Sequence, residues 1–130
     1  MDEAALTHLG KQSSDPVDTL DLIPWSSGGV VVRLNCSEFT SHCPVTKQPD
    51  FASLLIEYVP GDFIAETKSV KLYLWRFRDR AQFNEKLTAE IAQDFYKQLQ
   101  ARAVRVVGSF NTRGGIAVTA ECTRGEHGLL

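Results

Sequence analysis

Cys43 and Asp50 put a thiol and a carboxylate seven residues apart on a stretch, Glu38 to Phe51, that is broken by Pro44 and Pro49. A nucleophile and a proton donor must meet at one reacting group, and a Pro-punctuated loop between two strands can turn both toward it. An ordinary thiol, with a pKa near ~8.5, is only a few per cent thiolate at neutral pH, so a cysteine nucleophile needs a nearby positive charge, a base or a helix N-terminus. His42 and Lys47 are the neighbours that could supply this help. Spacing alone leaves a second reading open, in which Cys43 is buried and packs as a small apolar side chain.

A second constellation is Glu66-Thr67-Lys68-Ser69-Val70-Lys71. On a helix, Lys68 and Lys71 stand at i and i+3 and share a face, and the helix N-terminus adds its own partial positive charge. The combination could hold a phosphate, such as that of a dinucleotide. No Gly-rich dinucleotide loop accompanies it, and a solvated helix face is the alternative.

These residues need elements to position them. Val30 to Cys36 is β-branched and short and reads as a strand, as does Phe51 to Val59, with the Ser37–Pro49 loop between them. Val70 to Phe77 fits both a strand and a helix, and is taken as a helix with Thr67 as its N-cap. Phe83, Leu87, Ile91 and Phe95 recur every four residues with polar residues opposite, which predicts an amphipathic helix ending near Leu99. Val104 to Phe110 and Ile116 to Cys122 read as a hairpin through Asn111-Thr112-Arg113-Gly114-Gly115, whose glycines permit positive φ. Residues 1–28, rich in Ser, Asp, Thr and Pro, read as a mobile or loosely docked N-terminal arm, and residues 29–130 as one α+β domain in ββααββ order.

Composition narrows the ligand. A chain of 130 residues has one compact core, and a substrate pocket made from one copy would compete with that core for apolar residues. A net charge of -2 argues against stable nucleic-acid binding and for a small molecule. No apolar run approaches the ~20 residues of a membrane span, and the N-terminus lacks a signal-peptide pattern, so a cytoplasmic protein is expected. Three cysteines without a CxxC pair or zinc-like His/Cys spacing predict free thiols and no metal site.

Taken together and in order, these motifs resemble the 7-cyano-7-deazaguanine reductase family, the nitrile reductases of queuosine biosynthesis, in its short single-module form. The resemblance rests on Glu38-Phe39-Thr40-Ser41 through Cys43-Pro44, on Gln48-Pro49-Asp50-Phe51-Ala52, and on Glu66 through Leu74. It continues into Phe83-Asn84-Glu85 and Thr112-Arg113-Gly114-Gly115-Ile116, covering roughly Asn35 to Val118. It implies a tunnelling fold, an antiparallel four-stranded sheet with two helices on one face. It also implies homo-oligomeric rings with active sites at subunit interfaces.

For the residues, the resemblance implies that Cys43 forms a thioimide with the nitrile and that Asp50 protonates the nitrile nitrogen. The deazaguanine base is held by Ala65, Glu66 and Thr67 and by Asn84 and Glu85, with the Glu85 carboxylate accepting from the amino and ring N–H edge of the base. Phe83 either stacks on the base or begins the core face of its helix. Lys68 and Lys71 match the NADPH motif, and Arg113 lies in a family turn without an assigned role. One residue departs from the pattern: the family usually carries a histidine before the base-binding glutamate, and Asn84 cannot take up a proton near neutrality.

Two alternatives accompany this reading. One is an amidine-forming relative, in which ammonia attacks the same thioimide and the nitrile is carried on tRNA. The other is a non-catalytic purine-binding scaffold of the same fold, with Cys43 merely structural. Lys68 and Lys71 and the mildly acidic composition favour reduction of a free base.

Overall fold

The computed structural model describes residues 17–126 and 128–130. Six strands and two helices follow in the order β1 (Leu22–Pro24), β2 (Val32–His42), β3 (Pro49–Val59), β4 (Phe63–Ala65), α1 (Thr67–Trp75), α2 (Asn84–Leu99), β5 (Ala103–Arg113) and β6 (Ile116–Gly125). A 3₁₀ turn, Arg76–Asp79, extends α1. β2, β3, β5 and β6 form one antiparallel sheet in that order, and β1 pairs with β4 in a small second ladder. The α+β class and the two-helix, four-strand layout expected from the sequence are present. The short β1–β4 ladder is an addition to them.

Alternation builds the sheet's inner face. Ala52, Leu54, Ile56 and Tyr58 of β3, and Val104 and Val106 of β5, are buried beneath the helices. On α2, Leu87, Ile91, Phe95 and Leu99 form a single i, i+4 ridge that is fully buried. Phe83, one turn earlier in the same pattern, does not join it. Phe83 stands at the N-cap of α2 and is 59% exposed. The core option for this residue is therefore ruled out.

The helices run antiparallel over the sheet. α1 starts beside Tyr58, whose hydroxyl accepts from the Ala65 N–H at 3.0 Å, and its 3₁₀ extension ends at His42, whose N–H donates to the Arg80 carbonyl. α2 starts at the His42 end, where the Gln82 N–H donates to the His42 carbonyl, and returns toward Val59. Arg76 and Arg80 tie the helices together through Glu90, with Asp94 also bound by Arg76 and by the Tyr73 hydroxyl.

Three local expectations are corrected. β2 runs on to His42 and β3 begins at Pro49, so most of the stretch taken for a loop is strand and the connection shrinks to residues 43–48. A register shift between Cys36 and Phe39 breaks the alternation that would have shown this strand in the sequence. The N-cap of α1 is Glu66, not Thr67: its carboxylate accepts from the Lys68 and Ser69 N–H groups, each at 2.8 Å. Residues 17–25, part of the segment read as a mobile or loosely docked arm, are firmly docked, with Leu20 and Asp21 buried and β1 paired to β4. Residues 1–16 of that segment lie outside the described residues.

The opposite face of the sheet carries one buried charge. Glu57, 2% exposed, is held by Arg33 at 2.6 Å and Arg105 at 2.5 Å from the flanking strands. Burial alone would raise its pKa, but the hydrogen bonds and charges of the two arginines outweigh this and hold it below the ordinary carboxylate range.

Candidate active site

Cys43 opens a tight turn at the end of β2. The Lys47 N–H donates to the Cys43 carbonyl at 2.8 Å, the Cys43 N–H donates to the Gln48 carbonyl at 2.9 Å, and Lys47 adopts a left-handed φ of 57° to close the turn. Pro44 presets the φ of the first turn residue. The Cys43 sulfur thereby occupies an N-cap position over one turn of backbone. The Thr46 hydroxyl and the N–H groups of Thr46 and Val45 stabilise its thiolate and lower the thiol's pKa, against slight burial and the charge of Asp50.

This activation was not legible as such in the sequence, where His42 and Lys47 were the expected helpers. A hydroxyl three residues after a Cys-Pro pair is the signal that could have found it. Cys36 is the contrast: it is half-buried in β2, and burial pushes its thiol up. At neutral pH, iodoacetamide should therefore modify Cys43 before Cys36. Thr46→Val removes the strongest of the stabilising groups, so the midpoint of Cys43 alkylation against pH should move upward, toward an ordinary thiol, while Cys36 is unaffected. Per-cysteine mass spectrometry across pH 5–10 measures both.

Asp50 is the second residue of β3 and faces inward, opposite Ser41 in register. Its carboxylate is paired with the Arg113 guanidinium at 2.9 Å. Arg113 was named in the sequence as part of a motif without a role, and the fold brings it to Asp50 from the end of β5.

The N-terminus of α2 lies at the same end of the sheet, through the His42 to Arg80 and Gln82 backbone bonds. Phe83 and Glu85 are exposed there, and Asn84 has a buried side-chain oxygen without a hydrogen-bond partner. Cys43, Asp50 and Phe83–Glu85 thus share one end of the molecule.

Ala65, Glu66 and Thr67 are elsewhere, near the Tyr58 and Val32 end of the sheet. The Ala65 N–H is taken by Tyr58, and both Glu66 carboxylate oxygens cap α1. The expected help of the helix N-terminus to a phosphate is therefore reduced, because two of its N–H groups already serve a carboxylate. Lys68 and Lys71 remain as the cations of this turn.

Thr67 and Lys71 line a cavity of about 1040 Å³ between α1 and β2, with Arg33, Trp75 and Arg78. The cavity extends along β2 to Thr40 and Phe51, one register pair short of Ser41 and Asp50. Its size is just above the ~300–1,000 Å³ typical of ligand sites, and its cations suit an extended phosphate-bearing cofactor. Cys43, Asp50 and Phe83–Glu85 are not among the residues that line it.

Comparison with known proteins shows the family of the chain. A family model described as QueF-like protein matches residues 49–128. The chain is 40% identical over 129 residues to the NADPH-dependent 7-cyano-7-deazaguanine reductase of Syntrophobacter fumaroxidans, covering 95% of this chain and 83% of that protein. It is 41% identical over 119 residues to the protein of the same name from Frankia casuarinae, covering 92% of this chain and 95% of that one. Among solved structures, the apo archaeosine synthase QueF-Like superposes with a TM-score of 0.69 at 22% identity, over 74% of this chain and 94% of that one, a likeness of fold. The chain belongs to the QueF-like family of NADPH-dependent 7-cyano-7-deazaguanine reductases.

Proposed function

We propose that this protein reduces the nitrile of 7-cyano-7-deazaguanine to an aminomethyl group with NADPH, through a covalent thioimide on Cys43, as a step of queuosine biosynthesis for tRNA modification. The observation that carries the reading is a thiolate-stabilising turn at Cys43 beside Asp50, in a chain whose relatives carry that reductase name.

A nitrile is a poor hydride acceptor until a nucleophile adds to its carbon. The Cys43 sulfur forms the bond to that carbon, one π pair of the triple bond moves to nitrogen, and Asp50 gives the nitrogen a proton. The proton that Asp50 gives is the one the Cys43 thiol loses, taken up by the Asp50 carboxylate as the sulfur becomes a thiolate and passed on to the nitrogen, so no further proton is needed for the addition. When bound, NADPH supplies the two hydrides that bring the carbon to the amine level, one before and one after the sulfur departs. Cys43 leaves as a thiolate, and the Thr46 hydroxyl and backbone N–H groups that lower its pKa stabilise it as leaving group as well as nucleophile. Lys68 and Lys71 would hold the cofactor's phosphates, with the cavity beside α1, which Lys71 lines, as its bed.

Ala65, Glu66 and Thr67 complete the base site from a second copy of the chain. Two features support a shared site: these residues lie toward the far end of the sheet from Cys43, and Val45, Phe51, Trp75, Phe83 and Ile116 are large apolar side chains left exposed on one copy. Among the described residues no strand pairs with the outer edge of β6, and that of β2 is met only at His42, by Arg80 and Gln82, which leaves most of both edges for extension between copies. The protein works in the cytoplasm on a free base and does not bind nucleic acid stably.

Mixing the protein with 7-cyano-7-deazaguanine in the absence of cofactor should add the mass of one nitrile per occupied site and produce a thioimide absorbance band. A purine-binding scaffold would do neither. The amidine-forming alternative would form the adduct but resolve it with ammonia, not NADPH, and the relatives' names favour reduction.

Glu85 tests which ligand is read. Glu85→Leu leaves two donors of the base unpaired in the complex, at a cost on the order of 1–3 kcal/mol, so nitrile binding should weaken at least ~10-fold. NADPH binding should barely change. Equal nitrile affinity in titration calorimetry would remove Glu85 as the base anchor.

A further inference from the structure

Arg113 makes three contacts, all with the segment that carries the acid. Its Nε pairs with the Asp50 carboxylate at 2.9 Å, one terminal nitrogen donates to the Gln48 side-chain oxygen at 3.0 Å, and the other donates to the Pro49 carbonyl. Arg113 stands just beyond a bulge in the β5–β6 pairing. The β3–β5 pairing ends at Ala52↔Phe110, and beyond it the register of β5 against β6 shifts between Phe110 and Arg113. Bulges re-aim side chains beside active sites. Gly114 and Gly115, at φ 58° and 80°, then complete the turn that starts β6.

The clamp reaches the nucleophile. The Gln48 carbonyl accepts from the Cys43 N–H, so fixing residues 48–50 also fixes the turn that holds the sulfur. A guanidinium against Asp50 further offsets the negative charge that opposes the Cys43 thiolate.

We propose that Arg113 is a positioning residue for thioimide formation, holding Asp50 and the Cys43 turn in register for attack on the nitrile carbon. This rests on the reductase reading above and assigns Arg113 to the first chemical step rather than to the cofactor. Thioimide formation needs no NADPH, so the two roles separate experimentally.

The experiment is single-turnover adduct formation, followed by absorbance and intact mass without cofactor, for the parent, Arg113→Ala, Arg113→Lys, Asp50→Asn and the double variant Arg113→Ala/Asp50→Asn. Melting temperature and oligomer size are recorded for each. Misplacing reacting groups by about 1 Å costs on the order of 10²-fold, so Arg113→Ala should slow adduct formation by ~10- to 100-fold. Arg113→Lys, keeping the charge but losing the forked donor set, should recover part of this. In the Asp50→Asn background, removing Arg113 should cost much less than in the parent, because residues that act through each other are not additive.

Adduct formation by Arg113→Ala at the parent rate, with a raised Michaelis constant for NADPH, overturns the proposal and gives Arg113 to the cofactor. Equal losses in both backgrounds, together with a lowered melting temperature and no recovery by Arg113→Lys, reduce the residue to a support of the fold. A parent protein that forms no adduct removes the reductase reading itself, and this inference with it.

Discussion

Cys43→Ala protein is expected to bind the nitrile base but to form no adduct and to oxidise NADPH no faster than a blank. The expectation follows from where the other nucleophiles lie. Cys36 is half-buried in β2 with its thiol pushed up by burial, and Cys122 is on β6, across the sheet from β2. Neither can replace a sulfur seated on the Pro44–Thr46 turn. Removing a nucleophile outright costs on the order of 10⁴-fold or more in turnover, whereas Cys36→Ala and Cys122→Ala should retain activity. Nitrile-dependent NADPH oxidation by Cys43→Ala would show that covalent addition is not the route.

What made Cys43 and Asp50 findable was their spacing within a longer run of motif residues. The groups that surround them could not be read from it. Thr46 comes under the Cys43 sulfur because the chain turns at Pro44, and Arg113 meets Pro49 across 64 residues from the end of β5. Such contacts exist only once the sheet register is set.

The elements divide in the same way. α2 was legible from its i, i+4 ridge, and the β5–β6 hairpin from Gly114 and Gly115, because both signals are local. The extension of β2 through Ser37–His42 was hidden by the register shift after Cys36, which puts polar residues out of phase. The Glu66 cap was hidden because glutamate is not among the preferred N-cap residues, and Thr67 beside it is. Docking of residues 17–25 depends on β1 pairing with β4, a partner about 40 residues away in the chain.

Lys71→Ala is expected to raise the Michaelis constant for NADPH by roughly 10- to 150-fold, the equivalent of losing one charge-assisted hydrogen bond of about 1.5–3 kcal/mol. The rate of adduct formation without cofactor and the affinity for the nitrile should stay as in the parent. The reason lies in the first turn of α1. Glu66 takes two of the N–H groups that an anion would otherwise use, so recognition of a phosphate falls to side-chain charge. Lys71 is exposed and lines the cavity beside α1. Steady-state kinetics with each ligand varied in turn would separate the cases, since an equal rise in both Michaelis constants would mean that Lys71 supports the fold.

The central claim is that this chain carries a nitrile through a Cys43 thioimide to an amine at the expense of NADPH. The most direct measurement mixes the protein with limiting 7-cyano-7-deazaguanine and excess NADPH, and follows cofactor oxidation at 340 nm and the product by mass. The account predicts two NADPH oxidised per nitrile consumed, a product heavier than the nitrile by four hydrogens, and neither with Cys43→Ala. A nitrile that forms the adduct yet leaves NADPH unoxidised would contradict it.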